Sequence, residues 1–199
     1  MNIYVCGQKH FGAAVFSALH AAGHGMLGVC APALNDAGER DRLRARATEV
    51  DVPWTDCGRL CADILPSGID VIVAAHTHQF IDSRTRGQAN FGAIGYHPSL
   101  LPLYRGRDAI ACALRAHERV TGGTVYWLSD RMDGGDIAAQ EHVFVRPADT
   151  ATMLWRRDLA PLGVRLLIRV CAEVEHGQQH RTPQDETLAT WARALAHDV

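Results

Sequence analysis

Two short stretches of this 199-residue chain carry the residue types that proton-transfer chemistry needs. The first is His97-Pro98-Ser99-Leu100-Leu101-Pro102-Leu103-Tyr104-Arg105-Gly106, where a histidine follows an apolar run and prolines stiffen the backbone behind it. Such rigidity suits an imidazole that must be held against a reacting group. The second is Met132-Asp133-Gly134-Gly135-Asp136, in which two carboxylates share a tight turn whose glycines free the backbone. Taken alone, this turn reads equally as a plain loop or a calcium-like one.

Two further clusters carry weaker signals. Gly7-Gln8-Lys9-His10-Phe11-Gly12 follows the first apolar run, where a Gly-rich turn can meet a phosphate at a helix N-terminus, but the three-glycine dinucleotide fingerprint is absent. A structural turn and a substrate contact both remain open there. His76-Thr77-His78 places two imidazoles after another apolar run. A metal site with His97, pocket lining and plain structure are the three readings, and no carboxylate stands at a recognised ligand spacing. No metal is expected.

These residues need elements to position them. Residues 2–6 predict a strand, 7–12 a loop, 13–22 a helix ending at Gly23, and 27–30 a second strand, the opening of a βαβ sheet. Residues 70–75 form a short run that is wholly apolar after Asp70, the pattern of a central parallel strand, with residues 91–96 as a candidate neighbour. Ligands bind at the ends of such strands. Residues 39–49 read as a solvent-facing helix and 107–118 as an amphipathic one with Ile110 and Leu114 inward. Residues 124–129 and 137–145 predict strands flanking the Asp133 turn. Residues 149–175 predict a helical segment that Pro161 should kink or divide.

Composition bounds the function classes. The 20 basic and 22 acidic side chains are interspersed and give a net charge of −2, so no field attracts nucleic acid. No apolar stretch approaches the roughly 20 residues that span a bilayer, and the start lacks a signal-peptide pattern. A cytoplasmic protein without a membrane partner is expected. The six cysteines (Cys6, Cys30, Cys57, Cys61, Cys112, Cys171) lack the paired spacing of a zinc site and read as reduced structural thiols.

His97 and Asp133, in this order and 36 residues apart (133 − 97), resemble the folate-dependent formyltransferase family of glycinamide ribonucleotide, methionyl-tRNA and sugar-amine formyltransferases. Gly7-Gln8, Phe11-Gly12, Gln79-Phe80-Ile81 and Ile94-Gly95-Tyr96-His97-Pro98-Ser99-Leu100-Leu101-Pro102 look most like the hydrolase domain of 10-formyltetrahydrofolate dehydrogenase. Pro183-Gln184-Asp185-Glu186-Thr187-Leu188-Ala189-Thr190 looks like the segment closing the catalytic domain of the tRNA and sugar-amine enzymes.

The resemblance implies a fold and a site. The fold is α/β, a Rossmann-like, mainly parallel twisted sheet with helices on both faces, in a single domain over 1–199 whose last roughly 20 residues are an extension. The donor is 10-formyltetrahydrofolate and tetrahydrofolate is the product. His97 and Asp133 are catalytic. The family's Asn, two residues before the His, is replaced by Gly95. His78, Gln79, Phe80, Ile81, Leu101, Arg131, Met132, Gly134 and Asp136 line the folate pocket, while Gly7, Gln8, Lys9, His10 and Ser99 meet the acceptor. The formyl group passes to a small amine, or alternatively to water, or the chain is a folate-binding module with little turnover. A homodimer is the expected assembly.

Overall fold

The computed structural model describes residues 1–56 and 60–192, so Cys57 lies outside the described residues. The fold is α/β, a seven-stranded, mostly parallel sheet with helices. The chain divides into two compact units, residues 1–95 with 167–178 and residues 96–166 with 179–199.

In the first unit the strands are β1 (Asn2–Gly7), β2 (Gly25–Ala31), β3 (Trp54–Asp56), β4 (Val71–Ala75) and the start of β5 (Ala93–His97). They pair in parallel in the order β3-β2-β1-β4-β5. Every residue of β4 is buried, as expected of a strand covered on both faces. Helix α1 (Lys9–Ala21) turns Phe11, Val15, Phe16 and Leu19 inward, the spacing of one helical face, and stops at Gly23 with φ +89°. Helix α2 (Arg42–Glu49) is capped by Asp41, whose carboxylate accepts the Leu43 amide at 2.8 Å. A short helix, α3 (Ser83–Arg86), is capped likewise by Asp82.

The loop expected over residues 7–12 is shorter than predicted, because α1 begins at Lys9. Close packing explains both glycines. A Cβ on Gly7 would strike the Ala75 carbonyl oxygen, and one on Gly12 would come within 3.3 Å of the same atom. Gly7→Ala is therefore expected to push β1 and β4 apart and cost about 1–3 kcal/mol. Thermal melting checks this, with a drop of roughly 2–4 °C per kcal/mol for a chain of this size.

In the second unit β6 (Val120–Trp127) and β7 (Ile137–Phe144) pair antiparallel, with a register shift at Val125/Tyr126. β6 starts before the predicted strand because Gly122 and Gly123 belong to it. A Cβ on Gly122 would meet the Glu141 carbonyl, and one on Gly123 the Tyr96 ring. Helix α4 (Ala109–Arg115) buries Ala109 and Ala113, whereas Ile110 and Leu114 are only half-buried, so the inward stripe lies one residue from the expected one. Helix α5 (Ala151–Leu154) passes through a π-helical turn, Trp155–Leu159, into α6 (Ala160–Glu175). The division falls just ahead of Pro161, whose missing N–H and ring oppose a continuous α-helix. Along α6, Leu162, Leu166, Leu167, Val170 and Val174 are buried.

Cys6, Cys30, Cys61, Cys112 and Cys171 are not disulfide-bonded. Among the described residues no helix is long and apolar enough to cross a membrane, and no group of His, Cys, Asp and Glu could hold a metal ion.

Candidate active site

His97 closes β5 and is buried. Its Nε2 lies 2.7 Å from the Tyr104 carbonyl oxygen. A carbonyl only accepts, so Nε2 carries the ring's proton and Nδ1 is left as the basic nitrogen. Nδ1 faces Asp133 Oδ2 at 3.6 Å. A proton taken up at Nδ1 therefore gives an imidazolium with a carbonyl on one side and a carboxylate on the other.

Asp133 sits in the turn between β6 and β7 with φ +50°, a left-handed conformation that side chains other than glycine seldom adopt. Two donors fix its carboxylate. The Tyr126 hydroxyl donates to Oδ1 at 2.6 Å and the Gly106 amide to Oδ2 at 2.7 Å. Burial first, and then the Asp133 charge, push the Tyr126 phenol well above its ordinary pKa, so it stays a neutral donor. The strand irregularity at Val125/Tyr126 is of the kind that re-aims a side chain next to a site.

The segment behind His97 is held from within its own unit. Buried Thr124 donates through Oγ1 to the Ser99 carbonyl at 2.7 Å and accepts the Leu101 amide at 3.2 Å. Gln140 Nε2 adds bonds to the Leu101 carbonyl (2.9 Å) and to Thr124 Oγ1 (2.8 Å). Ser99 is fully buried and its hydroxyl donates to the Leu103 carbonyl, so that group holds the loop. Leu101 is buried too. Tyr104, at φ +57°, receives the Thr190 hydroxyl oxygen on its amide at 2.8 Å and donates its phenol to Glu118 at 2.7 Å. Burial and the Glu118 carboxylate push that phenol up to about 12.

Of the other residues expected at the folate pocket, Arg131, Met132, Gly134 and Asp136 surround Asp133 in the same turn. Met132 is 61% exposed, Arg131 pairs with Glu186 at 3.3 Å, and the Asp136 carbonyl accepts the Trp127 amide at 2.9 Å. Gly134 is buried, and a Cβ there would stand 3.0 Å from the Arg131 side chain.

The first unit carries the remaining expected residues. Gly7 ends β1 and Gln8, Lys9 and His10 come after it, while His76, Thr77 and His78 follow β4, at the carboxyl ends of adjacent parallel strands where the strand order reverses. Lys9 Nζ pairs with Asp36 at 2.9 Å, and that contact holds the Asp36 carboxyl below its usual range. The rings of His76 and His78 meet edge to face at 5.6 Å. Burial, then the nearby His78 and Lys9 charges, lower the His76 pKa and favour its neutral form. Gln79 accepts the Leu60 amide at 2.8 Å, Phe80 is exposed and Ile81 buried. Gly95, the last residue of this unit, stands two residues before His97 along β5, a spacing that puts both on one strand face.

Reading the sequence did not single out Tyr126, Arg105, Gln184 or Glu186. Arg105 is almost fully buried, and its guanidinium bonds Gln184 Oε1 (2.6 and 3.1 Å) and both Glu186 oxygens (2.9 Å each). An arginine inside the rigid run after His97 and an acidic residue in the closing segment were the only signals available in the sequence.

A buried imidazole that faces a carboxylate across 3.6 Å has the geometry to exchange a proton with a reacting group. The chain belongs to the formyl transferase family, whose model matches residues 59–171. It is 32% identical to human cytosolic 10-formyltetrahydrofolate dehydrogenase over 96% of its own length and spans only 22% of that relative. Its fold is similar to those of two solved structures. One is glycinamide ribonucleotide transformylase 1 from Symbiobacterium toebii (TM-score 0.76, 20% identity, 92% of this chain and 93% of that one). The other is an N-formyltransferase from Helicobacter canadensis in complex with folinic acid and dTDP-3-aminofucose (TM-score 0.77, 14% identity, 96% and 70%).

Proposed function

We propose that residues 1–199 form one catalytic domain that transfers the formyl group of 10-formyltetrahydrofolate to the amine of a small metabolite, releasing tetrahydrofolate. The observation that carries this reading is the pairing of buried His97 with half-buried Asp133, 3.6 Å apart, in a chain of the formyl transferase family. The folate bound to the Helicobacter canadensis enzyme and the donor named for the human relative support the choice of donor.

In this reading the attacking amine adds to the formyl carbon and loses a proton, which His97 takes at Nδ1. Asp133 and the Tyr104 carbonyl stabilise the imidazolium that forms, and its charge in turn favours the oxyanion developing on the formyl oxygen. Cleavage of the bond to the folate nitrogen, with return of the proton to that nitrogen, completes the exchange.

Gly95 favours a second reading, hydrolysis, in which water replaces the amine. With no side chain at Gly95, one oxyanion donor of the family pattern is gone, a loss that typically costs about 10²-fold in rate. Incubating the protein with 10-formyltetrahydrofolate, with and without candidate amines, and following tetrahydrofolate release separates the readings. Amine-dependent release supports transfer, amine-independent release supports hydrolysis, and binding without any release overturns both. Gly95→Asn is expected to raise amine-dependent release, on the order of 10-fold, by restoring the donor.

A further inference from the structure

Arg105 is a buried charge that the proton-transfer chemistry does not use, and burying a guanidinium is costly unless it is paired and hydrogen-bonded. Here four hydrogen bonds to the closing segment, 79 to 81 residues further along the chain, engage all three of its nitrogens. Gln184 presents its carbonyl oxygen to Arg105. Its amide nitrogen is thereby turned the other way, where it donates to the Asp133 carbonyl at 2.8 Å and to the Gly135 carbonyl at 2.6 Å. Arg105 thus decides which end of the Gln184 amide faces the turn. Glu186 completes the arrangement by taking both guanidinium nitrogens, and the Arg105 and Arg131 charges hold its carboxyl below the usual range.

The same segment also clamps the backbone that serves the catalytic pair. The Arg105 amide donates to the Thr190 carbonyl at 2.9 Å and the Ala192 amide to the Arg105 carbonyl at 2.7 Å. On either side of Arg105, the Tyr104 carbonyl holds His97 and the Gly106 amide holds Asp133.

We propose that Gln184, oriented by Arg105, is a positioning residue for formyl transfer or hydrolysis: it holds the left-handed Asp133 turn so that the carboxylate stays aimed at His97 Nδ1. The proposal rests on the functional reading above for its kinetic part and on geometry alone for the rest. Left-handed backbone is strained at a residue with a side chain, so the turn relaxes unless something grips it. Two charge-free bonds from one amide, one to Asp133 and one to Gly135, supply that grip.

Gln184→Glu tests it. The substitution keeps size and strengthens the bond to Arg105, yet it replaces the donating nitrogen by an oxygen that repels both carbonyls. The expected result is a fall in kcat of about 10-fold with the KM for 10-formyltetrahydrofolate changed less than about twofold, the pattern of a misaimed catalytic group. In an Asp133→Asn background the same change should alter kcat less than about twofold, because Gln184 acts through Asp133. Independently of activity, hydrogen exchange at the Gly106 amide, which Asp133 Oδ2 accepts, should speed up. Wild-type kcat with unchanged Gly106 exchange overturns the proposal, as does an equal loss in the Asp133→Asn background. If Gln184→Glu does not fold, Arg105→Lys, which cannot orient the amide by a fork, is measured the same way, and wild-type behaviour there overturns it equally. A wild-type protein that releases no tetrahydrofolate defeats the functional reading, while the Gly106 exchange still decides this one.

Discussion

His97→Ala is expected to lower tetrahydrofolate release by roughly 10³-fold while the protein stays folded. The size follows from what the ring does. Proton transfer by a positioned group contributes about 10²–10⁴-fold, and the imidazolium also supplies charge beside the developing oxyanion. A 10³-fold loss corresponds to about 4 kcal/mol of transition-state stabilisation. The structural cost is smaller. Alanine leaves the Tyr104 carbonyl without its 2.7 Å partner, worth on the order of 1 kcal/mol, and shortens a side chain at the exit of β5. Melting should therefore drop only a few degrees, at roughly 2–4 °C per kcal/mol. Kinetics and melting on one preparation check the claim. Full turnover in His97→Ala would remove His97 from the chemistry, and loss of folding in step with activity would make its role structural.

Much of this arrangement is legible in the sequence because it is carried locally. His97 lies in a run with two prolines, and Asp133 in a turn with two glycines, so each announces a held side chain without reference to the rest of the chain. The fully apolar stretch that became β4 and the helix stop at Gly23 are equally local signals. Where the structure differs from the sequence pattern, a neighbour in space decides the outcome. Glycines at 7 and 12 suggest a loop, yet the second lies inside α1, where a Cβ would crowd the Ala75 carbonyl at 3.3 Å. In α4 the larger Ile110 and Leu114 drew the inward stripe, while the small Ala109 and Ala113 are what the packing admits. The three-residue β3 is too short to show a period of its own and exists through pairing with β2.

The supports of the His97–Asp133 pair are the least legible. Tyr126 reads as one more aromatic in a strand until its hydroxyl is seen on Asp133, and Gln184 as one residue of the closing segment until its amide is seen on the Asp133 turn. Nothing in residue type distinguishes a strand tyrosine that packs from one that donates to a carboxylate. The difference lies in the irregular register at Val125/Tyr126 and in the left-handed turn that follows, both products of the folded chain.

Asp133→Asn gives the sharper test of how the pair divides its labour, since it removes charge and little else. The carboxylate has one donor at each oxygen, Tyr126 at Oδ1 and Gly106 at Oδ2. Asparagine has one acceptor oxygen, so it must satisfy one donor and turn its NH₂ toward the other. The Gly106 amide can only donate and keeps the oxygen. The Tyr126 hydroxyl can rotate and accept, so the NH₂ faces it and the turn survives with its geometry nearly intact. What is lost is the negative charge 3.6 Å from His97 Nδ1, which in the proposed reaction stabilises the imidazolium as the nucleophile gives up its proton. Turnover should fall roughly 10³-fold with the Kd for a folate ligand changed less than about threefold, because an interaction made mainly in the transition state has been removed. Combined with His97→Ala, the further loss should be small, since two groups that act as a unit are not additive. If instead the two losses multiply, Asp133 and His97 work on separate steps, and Asp133 would have to meet the nucleophile without the ring between them.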